Sequence, residues 1–203
     1  MRKTKEATEI SRIRILDAAE KVFCSQGYAS AKMNDIAAIV GMTKGAIFWH
    51  FESKAALFRA VHTRSVSRIR QIFESIFSST DPIMEKCRKV LLQTRKDRAF
   101  EVLLAFGSSD TGDLPPEMLI EIHKSISSIL DLALQKLEDA KKRGELLPDT
   151  DLFDILSPFV LVMSGFGKMG EVKKILGGLA GKIDGDIAIN MLFKGLNSFQ
   201  TVR

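Results

Sequence analysis

Apolar residues recur at helical spacing along almost the whole chain, and no segment alternates as a half-buried strand does. The first apolar stripe covers residues 15–23 and is followed by Gly27, a residue that commonly ends a helix. Two shorter helices are predicted next, at about 33–40 and 43–51. The pattern therefore predicts an all-α protein.

The same pattern continues through the rest of the chain. Ser53 can cap a longer helix to about residue 77, and the turn-forming residues 78–82 mark a domain boundary. A loop is expected at 110–116, and Pro158 is expected to kink its helix. Further helices are predicted near 83–95, 97–107, 118–144, 151–168 and 186–198, which gives about nine in all.

Positive charge is concentrated in the first two-fifths of the chain. The net charge is +5, and residues 1–80 contain 13 Lys and Arg against 7 Asp and Glu, whereas the rest contains 17 against 18. This distribution favours an N-terminal part that binds a polyanion such as nucleic acid, although a basic surface that only contacts solvent has the same pattern.

The composition favours neither export nor a membrane. Four of residues 1–6 are charged and no apolar segment follows them, and the longest apolar stretch, 159–163, is far too short to cross a bilayer. Cys24 and Cys87 are far apart among apolar residues of predicted helices, which favours reduced thiols over a disulfide or metal site. We therefore expect a cytoplasmic protein.

Residues 36–47 have the pattern of a helix-turn-helix. Ala37 is small enough for a second helix to lie across the first, and Gly41, four positions later, tolerates the positive φ of a tight turn. The apolar residues that would fill the angle are Ile36, Val40, Met42 and Ile47. The second helix of such a pair enters the major groove of DNA.

The exposed residues of that second helix suit a nucleic-acid surface. Thr43 and Lys44 lie at the helix N-terminus, where phosphate is favoured. Gly45 and Ala46 are small enough for close approach to the bases and for contact with a thymine methyl group. Trp49 and His50 can donate ring N–H groups to phosphates, and Lys54 adds positive charge to the next helix. Ordinary packing is the better interpretation of His50 alone, but not of the whole set.

Motifs at fixed spacing run through the first third of the chain, at residues 14–23, 27–28, 35–37, 41–51 and 53–58. Together they resemble the DNA-binding domain of the tetracycline-repressor (TetR) family of bacterial regulators, over about residues 9–69. The Gly-Ala-Ile-aromatic-Trp-His-Phe stretch is particularly similar to the multidrug-efflux regulators of that family.

Two places depart from the family pattern. Phe48 stands where the family usually has tyrosine, so one phosphate contact is expected to be missing. Ala31 and Lys32 stand where the family often has two threonines, so Ser30 is expected to cap the second helix and Lys32 to contact phosphate. The predicted DNA-binding residues are Lys32, Met33, Thr43, Lys44, Gly45, Ala46, Phe48, Trp49, His50 and Lys54.

The resemblance implies a basic N-terminal arm at 1–8, a three-helix DNA-binding domain at 9–69 with its helix-turn-helix at 32–51, and a larger helical domain at 70–203 for effector binding and dimerisation. The last two long helices are expected to pair with their copies. The predicted interface residues are Leu152, Ile155, Ile187, Met191, Leu192, Leu196 and Phe199. The predicted effector pocket contains Met84, Cys87, Leu91, Phe100, Leu104, Phe106, Met118, Ile122, Phe159, Met163 and Phe166. Such side chains favour a hydrophobic or aromatic ligand.

One motif favours an enzyme instead. Residues 165–170 are a literal G-x-G-x-x-G, and Asp184 or Asp186 lies about where a dinucleotide-binding fold places an acidic residue. The apolar residues before the motif have helical spacing, however, which favours a helix end and a flexible connection. His62 and His123 have no partners at metal-ligand spacing. We expect no enzymatic activity, no cofactor and no metal.

The sequence thus predicts a nucleoid-associated homodimer that represses from a palindromic operator of double-stranded DNA. A small, largely apolar effector is expected to release it by shifting the population of states, the helix at 54–77 swinging the recognition helices out of register. A TetR-like DNA-binding protein with a chromosome-organising role is the alternative.

Overall fold

The structure, a computed structural model, describes residues 2–97, 99, 102–103, 114–167 and 185–196. Within these residues the chain forms eight helices: α1 (Arg2–Ser30), α2 (Met33–Val40), α3 (Lys44–His50), α4 (Lys54–Phe77), α5 (Ile83–Lys96), α6 (Pro116–Lys142), α7 (Leu152–Gly167) and α8 (Gly185–Leu196). The expected all-helical fold is confirmed.

Helix ends in the first half of the chain fall where the sequence predicts them. Gly41 ends α2 in the left-handed conformation, with φ 68° and ψ 34°. Thr43 caps α3 and Ser53 caps α4, each through a side-chain oxygen that accepts a backbone N–H three residues later. Local signals therefore determine both the turn and the start of the helix that follows it.

The beginnings of α1 and α2 differ from expectation. Residues 2–8, expected to be an arm, form the first turns of α1. The regular part of that helix ends at Gly27, which has φ 75° and ψ 172°. Lys32 precedes α2 and no side chain caps this helix, so the expected cap by Ser30 is wrong.

Three clusters of buried apolar side chains hold the helices together. The first cluster contains residues of all four helices from α1 through α4. Four residues from much later in the chain also belong to it, namely Val102, Leu114, Met118 and Ile122. The second joins α5, α6, α7 and α8, and the third lies around the last turns of α4. Since α4 runs without a break from Lys54 to Phe77, the expected domain limit at residues 69 and 70 falls inside a helix.

Several predicted features lie outside the described residues. These are most of the predicted helix at 97–107, most of the loop at 110–116 and the glycine-rich stretch after Gly167. The apolar residues before the G-x-G-x-x-G sequence belong to α7, not to the strand that a dinucleotide-binding unit requires. Among the described helices, none is both long and apolar enough to cross a membrane. The same part of the chain contains no group of three or more potential metal ligands.

Candidate nucleic-acid interface and regulatory core

The crossing of α2 and α3 is built on a small residue and a left-handed turn. Ala37 is buried where the helices meet, and its carbonyl oxygen accepts the backbone N–H of Met42 at 3.0 Å. Ile47 is fully buried beneath α3. With one side of this short helix held in the core, its other side must face outward.

Long side chains of α1 and α4 fix the position of the helix pair. The Arg14 Nη2 atom donates to the carbonyl oxygen of Val40 at 2.9 Å, at the last turn of α2. The Lys54 Nζ atom donates to the carbonyl oxygen of Ala29 at 2.9 Å and lies 4.5 Å from the centroid of the Tyr28 ring. Lys54 therefore stabilises the packing of α4 on α1, a role that was not expected from the sequence.

The outward side of α3 carries small and aromatic residues. Gly45 and Ala46 are exposed, and Trp49 is 72% exposed. The Lys44 Nζ atom lies 5.6 Å from the centroid of the Phe48 ring, one turn further along. The cation thus lies over the face of the Phe48 ring.

The predicted DNA-binding residues divide into three groups. Lys32, Thr43, Lys44, Gly45, Ala46, Phe48 and Trp49 are exposed, and His50 is half-buried. Lys54 is half-buried and bonded to α1. Met33 is only 7% exposed and packs in the first cluster, so its predicted DNA contact is wrong. A residue in the first turn of a short helix can face either the core or the solvent, and the sequence alone does not decide between the two.

A network of ion pairs links α1, α4 and the segment after α5. Glu20 of α1 is buried and accepts hydrogen bonds from Arg64 Nη2 at 2.6 Å and from Arg68 Nη1 at 3.0 Å. Arg64 also pairs with Asp17 of α1 at 2.7 Å. The other arm of Arg68 donates to Asp97 Oδ1, which in turn accepts the backbone N–H of Ala99. This network could not be expected from the sequence, because its members are far apart in the chain.

A titratable side chain lies in the same region of α4. His62 is buried, and burial lowers its pKa below the usual value of 6.5, although the nearby carboxylate of Glu121 acts in the opposite direction. Glu121 also pairs with Arg59 at 2.8 Å on the surface between α4 and α6.

An apolar cleft lies between α4, α5, α6 and α7. Its lining residues are Phe73, Phe77, Cys87, Val90, Ala133, Leu137, Ile155, Leu156 and Phe159. Its volume of about 20 Å³ is enough for little more than one water molecule. Burial raises the pKa of the Cys87 thiol to about 12, so this thiol stays protonated and unreactive at neutral pH.

Only part of the predicted effector pocket lies at this cleft. Cys87 and Phe159 line it, whereas Met84 and Leu91 are buried in the second cluster beside it. Met118 and Ile122 pack in the first cluster, with the helix-turn-helix. They therefore do not line the cleft, and their assignment to the effector pocket stays a prediction. The remaining predicted residues, whose side chains lie outside the described part of the chain, are Phe100, Leu104, Phe106, Met163 and Phe166.

The outward face of α7 and α8 is unusually apolar. Phe153 and Leu161 are 60% and 72% exposed on α7, and Ile187 and Met191 are 57% and 68% exposed on α8. Leu161 follows Phe153 by about two turns and Met191 follows Ile187 by about one, so each pair lies broadly on one side of its helix.

The predicted interface residues only partly coincide with this face. Ile187 and Met191 are exposed, Leu152 and Leu192 are half-buried, and Phe199 lies outside the described residues. Ile155 and Leu196 are buried within the protomer, where Ile155 lines the cleft. Their assignment to the interface is therefore wrong. Phe153 and Leu161 were missed, because α7 is apolar on both sides and the sequence does not say which side faces inward.

Comparison with known proteins agrees with this architecture. Residues 15–61 match the family described as bacterial regulatory proteins, tetR family. The chain is 30% identical over 166 residues to the probable HTH-type transcriptional regulator ArpR of Pseudomonas putida, which covers 75% of this chain and 76% of that protein.

Two solved structures share the fold. A TetR transcriptional regulator from Chloroflexus aurantiacus has a TM-score of 0.75 and 20% identity, with all of both chains covered. The transcriptional regulator FadR from Bacillus subtilis, solved in complex with stearoyl-CoA, has a TM-score of 0.67 and 17% identity, covering 91% of this chain and 96% of that chain.

A helix-turn-helix on the surface of an all-helical protein, with its second helix facing outward, defines a DNA-binding regulator. The chain belongs to the TetR family of bacterial regulatory proteins. It is a transcriptional regulator and not an enzyme.

Proposed function

We propose that the protein is a homodimeric repressor that binds a palindromic operator and releases it when a small, largely apolar effector enters the cleft beside α4. The course of α4 carries this proposal. Leu57 and Phe58, near its start, belong to the core of the helix-turn-helix, whereas Phe73 and Phe77, near its end, line the cleft. A helix of 24 residues is about 36 Å long, so α4 mechanically joins the two sites.

The apolar face of α7 and α8 supports dimerisation. Four large hydrophobic side chains exposed on two adjacent helices are unfavourable in water, and pairing with a second copy would bury them. Two copies also bring two recognition helices to one DNA molecule. Half-sites separated by about 34 Å, or a multiple of it, would then be read from the same side of the duplex.

The size and lining of the cleft support an apolar effector that acts by displacement. Sites for drug-sized ligands have volumes of about 300–1,000 Å³, so an effector must push the walls of this cleft apart. Because Phe73 and Phe77 form one of those walls, entry displaces the end of α4. The stearoyl-CoA complex of the FadR neighbour supports an effector with a substantial apolar part. A coupling of about 1–3 kcal/mol would be typical of such a mechanism.

DNA selection tests the first half of the proposal. The purified protein is incubated with random-sequence duplexes, and the bound fragments are sequenced over several rounds. An inverted repeat is expected, and the protein should occupy one or a few promoters when its binding sites are mapped on the chromosome. Failure to enrich any sequence would refute specific operator binding. Dozens of scattered sites would favour the chromosome-organising role instead.

Filling the cleft tests the second half. Nile red, a neutral apolar dye, is used as the probe, and its fluorescence is titrated with the wild type and with Ala133→Trp. The substitution should weaken dye binding at least ten-fold, because Ala133 lines the cleft. Ile120→Trp, at an exposed position on the same helix, should bind the dye as the wild type does. If both variants bind it equally, the cleft is not the site.

A further inference from the structure

The exposed surface of α3 has few of the side chains that usually read purine bases. Arg, Lys, Asn and Gln make paired hydrogen bonds to guanine or adenine edges in the major groove. Lys44 is the only residue of these types between positions 43 and 50, and no acidic residue occurs there. The position of Lys44 therefore decides whether this helix reads purines by paired hydrogen bonds.

The one lysine of α3 has its ammonium group on an aromatic side chain of the same helix. The Lys44 Nζ atom lies near the Phe48 ring, one turn toward the C-terminal end. In a helix-turn-helix the N-terminal residues of the second helix contact the base edges, and lysine side chains that do not reach the bases commonly bind phosphate. Lys44 is thus placed for phosphate, which leaves Gly45 and Ala46 at the bases.

Gly45 has no structural reason to be glycine. A Cβ atom built at this position would meet only Thr43 Oγ1, at an ordinary contact distance of 3.9 Å. Its φ is not in the positive range, in contrast to that of Gly41. Glycine nevertheless destabilises a helix relative to alanine. The missing side chain makes room for something outside the protein, on the side of α3 that faces DNA.

We infer that the protein recognises its half-site through thymine methyl groups packed against Gly45 and Ala46, instead of through hydrogen bonds to purine edges. This inference rests on the proposed operator binding. A bare glycine lets the α3 backbone approach the base pairs closely, and the methyl group of Ala46 offers an apolar contact beside it. Trp49, one turn after Gly45 and largely exposed, then packs on the backbone at the rim of the groove.

Base analogues in the selected operator test the inference on the wild-type protein. Each thymine in turn is replaced by deoxyuridine, which removes only the methyl group, and each guanine by 7-deazaguanine, which removes an acceptor in the major groove. Losing one buried methyl group should lower affinity about four-fold, and about fifteen-fold when the symmetric thymines of both half-sites are changed. Substitution of guanine should cost less. Deoxyuridine without effect, or a larger loss from 7-deazaguanine, would overturn the inference while leaving operator binding intact.

Gly45→Ala separates folding from recognition. The substitution should raise the Tm by about 2–4 °C, because alanine favours the helix. It should also weaken operator binding at least ten-fold, because the new methyl group occupies the space needed by the base pair. Ser67→Ala, at an exposed position about 20 Å along α4 from Lys54, is the matched control and should keep full affinity. Unchanged operator affinity in Gly45→Ala would rule out close approach at this residue.

Discussion

The buried carboxylate of Glu20 should contribute measurably to stability, and Glu20→Gln tests this with little change of shape. The side chain of Glu20 is 7% exposed, and it accepts hydrogen bonds from Arg64 and Arg68. The amide of glutamine keeps one acceptor oxygen. It replaces the other with an NH2 group, which cannot accept a hydrogen bond from a guanidinium.

The magnitude follows from the bonds lost. A hydrogen bond to a charged group is worth about 1.5–3 kcal/mol when its partner is removed. Loss of a buried ion-pair partner costs about 3–5 kcal/mol when both partners are buried. Both arginines are partly exposed to solvent, so water replaces some of the interaction. We expect a loss of about 2 kcal/mol, which lowers the Tm by about 4–8 °C for a chain of this size.

Thermal unfolding followed by circular dichroism at one protein concentration measures the effect. Glu121→Gln is the matched control, because Glu121 and its partner Arg59 are both exposed to solvent. Their ion pair should contribute less than about 1 kcal/mol to the free energy of unfolding. Arg68→Met and the double variant Glu20→Gln/Arg68→Met complete a cycle, in which the two losses should not add. Equal losses from Glu20→Gln and Glu121→Gln, or full additivity in the cycle, would refute the reasoning.

Three further predictions concern charge and assembly. Lys44→Ala should weaken operator binding and reduce the slope of log affinity against log salt concentration by about 2 per dimer; an unchanged slope would contradict a phosphate contact. Met191→Glu should dissociate the dimer in sedimentation velocity, whereas Ile120→Glu, at an exposed apolar position on α6, should not. Burial lowers the pKa of His62 below 6.5 in the folded protein, so this side chain binds a proton more readily in the unfolded chain. The free energy of unfolding therefore falls as the pH drops below 6.5. His62→Leu should lose less Tm than the wild type between pH 7.5 and pH 5, while His123→Gln, exposed on α6, should behave as the wild type.

The helix-turn-helix could be predicted from the sequence because each of its signals is local. Gly41 is needed for a positive φ, and Thr43 and Ser53 are capping residues directly before apolar helical stripes. None of these depends on what the segment packs against. The same holds for Gly144, which adopts a positive φ just after α6.

The choice between faces could not be predicted, because it depends on distant parts of the chain. Met33 turns inward because α1 and the later helices supply a core for it, and Lys54 is held by a carbonyl group 25 residues away. On α7, Ile155 and Phe153 are equally apolar in sequence, yet one is buried and the other exposed. Helical periodicity identifies apolar positions, but it does not distinguish a protomer's own core from a surface that a partner covers.

The shared first cluster explains why the two halves of the chain should respond together. Val102 packs in the core of the helix-turn-helix, while Ala99 and Leu103, in the same short stretch, pack in the cluster around the end of α4. Asp97, just before them, is bonded to Arg68 and through it connected to Glu20 of α1. A displacement at the cleft would therefore reach the DNA-binding core along two connected routes, α4 itself and the contacts of Asp97, Ala99, Val102 and Leu103. Since packed cores do not deform continuously, the whole assembly is expected to move between discrete arrangements instead of bending at a linker.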